Sequence, residues 1–254
     1  MTPSIQTRPS RSRFSKLALA GALVLLGSLP AAASVINFEN QMPWIYNGGE
    51  TIEEAGYRLT IVDNHGDGSG LAAGIANGSD PTTCALGGCP SGNNSLFYLG
   101  VNDGSVVVTR TWEQPIFKLR GFDFSFMAPI GGLQAGSYGQ LQLIGNMAGG
   151  GMVFQNLDFP SMVDALGNPM FGAATLSSNF LNAALTSLSI RACINDGNGC
   201  VFPDDNSDLI NQAQFGIDNI DLAELPEPGS MALIGLGMGA LALRRRKHTA
   251  TANA

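Results

Sequence analysis

The chain has 254 residues, 44% of them apolar, with 33 glycines, 13 prolines and 4 cysteines, enough for one domain with a real core. Between Ser34 and Leu225 five basic residues (Arg58, Arg110, Lys118, Arg120, Arg191) face nineteen acidic ones, a net charge of −14. Such a span repels nucleic acid and anionic lipid and attracts cations, which excludes nucleic-acid binding.

Residues 1–33 read as a secretory signal peptide. Arg8, Arg11, Arg13 and Lys16 form a positive start, Leu17 to Leu29 an apolar run, and Ala31-Ala32-Ala33 an A-x-A cleavage site. The Sec translocon and signal peptidase are the implied partners, and the mature chain is expected to begin at Ser34. No cysteine stands near that site, which argues against a lipoprotein.

Residues 34–224 read as strands and loops. Val35 to Glu39 is a short opening strand, and Tyr57 to Val62 alternates as a half-buried one. Asn64 to Asn94, rich in Gly, Asn, Ser and Asp, predicts a long loop. Leu96–Val101 and Ser105–Trp112 are strands joined by Asn102-Asp103-Gly104, a hairpin signal. In Ile116–Met127, Phe122, Phe124 and Phe126 alternate with Asp123 and Ser125, giving one aromatic face. Tyr138–Met147, Met152–Asp158, Leu185–Cys193 and Phe215–Leu222 complete the set, while Leu166–Ala184 fits a short helix or a loop-rich crossing. About nine short, turn-separated strands predict an all-β fold, an antiparallel β-sandwich. Opening on INFE and closing on FGIDNIDLA, the domain resembles the jelly rolls of exported bacterial carbohydrate-binding and surface proteins. That resemblance implies that the first and last strands are neighbours in one sheet.

The cysteines fall in two close pairs within turn-rich stretches. In an exported chain this favours the disulfides Cys84–Cys89 and Cys193–Cys200. The spacings are looser than zinc knuckles, and His65 is the one histidine between the two terminal signals.

Catalytic signatures are missing. No G-x-S-x-G elbow, H-E-x-x-H pair or phosphate-cradling loop occurs, and a triad would have to be built on His65 in a glycine-rich loop. A carboxylate-only glycan hydrolase stays open, but the acids lie mostly in turns, with Asp123 an exception on a strand. The expectation is a non-enzyme.

Calcium is the better chemical lead, because it takes several oxygen ligands from flexible acidic turns. Asp63 and Asp67, followed by Gly68, resemble the opening of a D-x-D-x-D-G loop, but the twelfth position is Gly74, so this is no EF-hand. Asp196, between the second pair of cysteines, and Asp204, Asp205 and Asp208 add further oxygen-rich turns. Such residues also make turns without a metal, so a structural calcium and plain turns both stay open; no other cofactor is implied. Trp44 and Trp112 are the candidates for stacking on a sugar ring, with a half-buried place at the sandwich edge as the simpler role.

The C-terminus carries an address. Pro226-Glu227-Pro228 leads through Gly229 to an uncharged run, Ser230 to Leu243, and then to Arg244-Arg245-Arg246-Lys247. The run is shorter than the roughly twenty residues that cross a bilayer comfortably, and the basic cluster would stay cytoplasmic. This order of parts resembles the PEP-CTERM sorting signal of exopolysaccharide-producing Gram-negative bacteria. The resemblance rests on Pro226, Glu227, Pro228, Gly229, Ser230, the Gly/Leu-rich segment, and Arg244, Arg245 and Arg246. It implies an exosortase-type enzyme as processing partner, transient inner-membrane anchoring through a hydrophobic sorting helix, and a final location at the cell surface or in the matrix. The alternative is an ordinary C-terminal membrane anchor. The expected organisation is a signal peptide at 1–33, a β-sandwich at 34–224, a sorting signal at 225–247 and a tail at 248–254. The expected function is that of a surface or matrix protein beside exopolysaccharide; the alternative is a carbohydrate-binding module.

Overall fold

The computed structural model describes residues 33–66, 68, 70–84, 87–111, 116–129, 139–195, 198–203 and 209–225, together with Gly235, Gly237 and Met238. In chain order the strands are β1 (Ala33–Ile36), β2 (Trp44–Asn47), β3 (Thr51–Glu54), β4 (Tyr57–Val62), β5 (Leu71–Asn77) and β6 (Gly87–Gly88). They continue with β7 (Leu96–Gly100), β8 (Ser105–Arg110), β9 (Phe117–Phe126), β10 (Ala128–Pro129), β11 (Gln140–Met147) and β12 (Met152–Asp158). After β13 (Gly172–Ala173) comes the helix α1 (Ser178–Asn182), followed by β14 (Leu185–Asn195), β15 (Cys200–Val201) and β16 (Phe215–Glu224).

All the strand pairs are antiparallel, as an all-β sandwich requires. One layer runs β2-β5-β7-β16-β9, and the other runs β3-β4-β8-β14-β11-β12. They join where Leu185 of β14 pairs with Phe117 of β9. β1 lies antiparallel beside the C-terminal half of β16, from Ala33↔Ala223 to Ile36↔Ile220, so the first and last strands are neighbours as the jelly-roll resemblance implies. The two layers enclose one large core, which includes Leu59, Val108, Leu143 and Ile190 from one sheet and Tyr98, Phe126, Phe215 and Leu222 from the other.

β9 and β16 each change side-chain parity midway. Phe117 and Leu119 point inward, and so do Phe122, Phe124 and Phe126; on β16 the inward residues are Phe215 and Ile217, then Ile220 and Leu222. A strict period of two would expose half of these. The register between the strands shifts between Asp218 and Asp221, and Asn219 takes φ +51°. This is a bulge that re-aims the second half of each strand at the core.

Three expectations change. The Asn102-Asp103-Gly104 turn forms, with positive φ at Asn102 and Asp103 and Gly104 N donating to Val101 O at 2.9 Å. It does not make a hairpin: β7 pairs with β5 and β16, and β8 with β4 and β14. The turn carries the chain from one layer to the other. The second change is inside the predicted 64–94 loop, where β5 is a buried strand. Its Ala72, Ala73 and Ala76 lack the bulk that marks a strand in sequence and are covered by neighbours instead. β2 and β3 were likewise too short and mixed to be read. The third concerns Trp44, treated below. In the ambiguous 166–184 stretch, α1 is capped by the Ser177 hydroxyl, which accepts from Phe180 N, and Phe180 is buried.

The cysteines are joined as Cys84–Cys89 and Cys193–Cys200, with Cα atoms 5.4 and 5.5 Å apart. The second bridge ties the β14–β15 turn. A loop this short gives a chain-entropy stabilisation of roughly 2.5 kcal/mol. Replacing Cys193 and Cys200 together by serine should therefore lower the melting temperature by about 5–10 °C, read by circular dichroism. An unchanged melting point would contradict that role.

Candidate functional site

The fold determines how the C-terminal address leaves the domain. β16 is held between β9 on one side and β7 and β1 on the other. At its end Glu224 pairs with Phe117 and receives Arg110 Nη2 at 2.9 Å, and Leu225 N donates to Ile116 O at 3.1 Å. The following residue is Pro226, which has no N–H with which to continue a ladder. Among the described residues, the sheet's last tie thus falls one residue before the Pro-Glu-Pro tripeptide. Pro226, Glu227, Pro228, Gly229, Ser230, Arg244, Arg245 and Arg246 lie outside the described residues, as do 1–32. Gly235, Gly237 and Met238, within the apolar run, are helical. Among the described residues, no helix is long and apolar enough to cross a membrane.

Of the calcium candidates, Asp67, Asp196, Asp204, Asp205 and Asp208 lie outside the described residues. Asp63 is buried at the end of β4, where its carboxylate accepts from Gly70 N at 3.0 Å and Gly68 N at 3.4 Å. Gly48 crosses so close that a Cβ there would lie 2.6 Å from Asp63 Cγ. Asp63 therefore anchors its glycine-rich loop against the turn after β2. Among the described residues no group of three His, Cys, Asp or Glu side chains gathers around a common point.

Two aspartates that the sequence places only in a turn and on the last strand, Asp103 and Asp218, are structural hubs. Asp103 accepts from Ala213 N at 2.7 Å and from Asn211 N, pinning the segment before β16 to the β7–β8 crossing. Burial pushes its carboxyl up, against the pull of those amides. Asp218, fully buried at the bulge, accepts from Asn93 Nδ2 at 2.7 Å, Ser95 Oγ at 2.8 Å and Asn219 N at 2.7 Å. Desolvation raises its carboxyl, these bonds lower it in part, and the nearby Asp123 raises it further. Asp123 itself accepts from Asn219 Nδ2 at 2.9 Å. The parity switch in FGIDNIDL is the one sequence signal of this bulge.

Trp112 lies outside the described residues. Trp44, on the edge strand β2, is 65% exposed rather than half-buried, although its cross-strand partner on β5 is Ile75.

The outward face of the second layer carries an array that no motif announced. Arg191 on β14 donates from Nε at 2.9 Å and Nη2 at 2.7 Å to Gln142 Oε1 on β11. Gln142 Nε2 donates to Asn156 Oδ1 on β12 at 3.2 Å, Asn156 Nδ2 to Gln140 Oε1 at 3.1 Å, and Gln140 Nε2 to Asp158 Oδ1 at 2.7 Å. The Arg191 guanidinium lies 3.6 Å from the centre of the Phe202 ring. Spacing by two in QLQLIGN and FQNLD shows these polar residues on one face, but register alone makes them neighbours.

Residues 224–247 match the PEP-CTERM protein-sorting motif, which implies export and processing by an exosortase; the domain ahead of the motif is an antiparallel β-sandwich. Among curated proteins none matches the chain. Among solved structures it is similar to the N-terminal CBM22-1–GH10 modules of the Clostridium thermocellum endo-1,4-beta-D-xylanase 10B, complexed with xylohexaose, at 9% identity and a TM-score of 0.22. The match covers 77% of this chain and 28% of that one.

Proposed function

We propose that the processed protein is a non-enzymatic component of the cell surface or extracellular matrix. The observation that carries this reading is the position of the address. The motif begins on the last residue of a central strand, and among the described residues the last backbone hydrogen bond to the sheet is made by Leu225. An enzyme working just beyond Leu225 would cut a tether without disturbing the sandwich. The carboxylates of Asp63, Asp103 and Asp218 each accept from a backbone amide, a structural use that supports the non-enzymatic part of the reading.

The test is the intact mass of the exported protein from cells with and without the exosortase. The expected product begins at Ser34 and ends within Pro226–Gly229 only when the enzyme is present, and added mass at that end would indicate attachment to another molecule. A product retaining Arg244 to Ala254 in both strains would make the segment an ordinary anchor and overturn the proposal.

A further inference from the structure

We infer that the outward face of β12, β11, β14 and β8 is a binding track for an extended, neutral, hydroxyl-rich polysaccharide lying across the strands. Adhesion to glycan goes beyond surface display, and it rests on the surface-protein reading only for the protein's meeting such a polymer.

The polar row is a directed chain, from guanidinium through three amides to a carboxylate. Such alignment polarises each bond along it and fixes side chains that would otherwise rotate freely, so a ligand meets an array already ordered. Each amide carries two N–H donors and a carbonyl with two lone pairs. The chain uses one N–H of each of Gln140, Gln142 and Asn156, leaving a donor on every one. Donors and acceptors standing side by side match vicinal hydroxyls, which both give and accept.

Beside this row runs a mostly apolar one, interrupted by Ser189. Pairing places Phe154, Ile144, Ser189 and Val107 in line across β12, β11, β14 and β8, two residues along each strand from the Asn156–Gln142–Arg191–Ser105 line. Phe154 is 56% exposed on a sheet face where polar residues would be expected. A pyranose ring has the same two aspects, hydroxyls around its edge and C–H groups on its faces, and aromatic rings take up such faces well. From a strand spacing of about 4.8 Å, the four strands span on the order of 15 Å, room for several rings.

Two hollows argue for a polymer over a small molecule. One, of about 320 Å³, is lined by Gln140, Asp158, Phe159, Asn195 and Cys200, at the carboxylate end of the row. The other, of about 230 Å³, includes Arg191, Phe202, Ser105 and His65, at the guanidinium end. The β14–β15 turn, closed by Cys193–Cys200, lies beside the row. Charge selects the class of glycan. The domain's −14 repels a polyanion, and the cation in the row is already engaged by Gln142 and Phe202.

The experiment is affinity electrophoresis of the full chain, kept soluble in a polyoxyethylene detergent that offers no sugar, through gels containing hydroxyethylcellulose, glucomannan, xylan or dextran, with alginate as the acidic comparison. The expected result is retardation by at least one neutral polymer. The apparent Kd should be weakened about tenfold in Gln142→Ala, the equivalent of one or two lost hydrogen bonds, weakened also in Phe154→Ala, and unchanged in Trp44→Ala. Thermal melts confirm that each variant is folded. No retardation by any neutral polymer overturns the proposal, as do binding that ignores Gln142 and Phe154, binding lost only in Trp44→Ala, and stronger retardation by alginate. Processing is read separately: a protein that binds but is never processed would defeat the sorting reading and keep the track.

Discussion

Phe215→Ala should lower the melting temperature by about 10 °C, the largest effect of any single substitution considered. Phe215 is fully buried at the start of β16, tilted against Tyr98 with ring centres 6.1 Å apart. Its cross-strand partner on β7 is Gly100, and a Cβ there would lie 2.2 Å from the Phe215 ring. The ring thus occupies the space that Gly100 leaves. With glycine opposite on β7, that strand offers no side chain to fill the hole, which puts the loss near the middle of the roughly 3–5 kcal/mol range for Phe→Ala, and for a domain of this size each kcal/mol shifts melting by about 2–4 °C. Gly100→Ala should destabilise the wild type by collision with the ring, but cost much less in the Phe215→Ala background. Additive losses would break the argument, because the two residues would then not share one space.

Asp218→Ala is expected to cost about 3 kcal/mol, since it strands the Asn93 amide, the Ser95 hydroxyl and the Asn219 N–H beside buried surroundings. Asp218→Asn isolates the charge. Burial holds the Asp218 carboxyl above its ordinary range, so the folded state binds that proton more tightly than the unfolded chain. The resulting cost is fully present above the raised folded-state pKa and is relieved as pH falls through it toward about 4, the unfolded value. The wild type should therefore gain stability relative to Asp218→Asn as pH is lowered from 7 toward 4. Melting curves at several pH values test this. A constant difference, or one moving the other way, would mean that Asp218 is not held protonated more readily in the fold.

What could be read from the sequence followed from strong local patterns. Phe122, Phe124 and Phe126 announced their buried face, and the strands Tyr138–Met147 and Met152–Asp158, which became β11 and β12, were visible from their alternation. The cysteine spacing and the Pro-Glu-Pro address needed no structure. What could not be read depended on partners distant in the chain. Asn102-Asp103-Gly104 looks like a hairpin because its dihedral preferences are those of one, yet which sheet receives β8 is decided by β4 and β14. The alanines of β5 are buried by their neighbours, not by their own hydrophobicity. Asp218 reads only as an acid on the last strand until Asn93 and Ser95, more than a hundred positions earlier, are found on its carboxylate. The amide row likewise exists only once β11, β12 and β14 are in register.

The pairing of β1 with β16 imposes a timetable on export. Export led by the N-terminal signal expected from the sequence would deliver β1 first, whereas β16, which completes the sheet against β1, β7 and β9, would be nearly the last of the domain to emerge. Closure of the sandwich therefore waits until almost the whole domain has crossed, the slow, high-contact-order end of folding behaviour. The Pro-Glu-Pro segment follows within two residues of β16, so its arrival outside the membrane and the completion of the fold are nearly simultaneous. A C-terminal segment that held the chain back at that moment, as the proposed sorting role requires, would give the sheet time to close before the protein was let go.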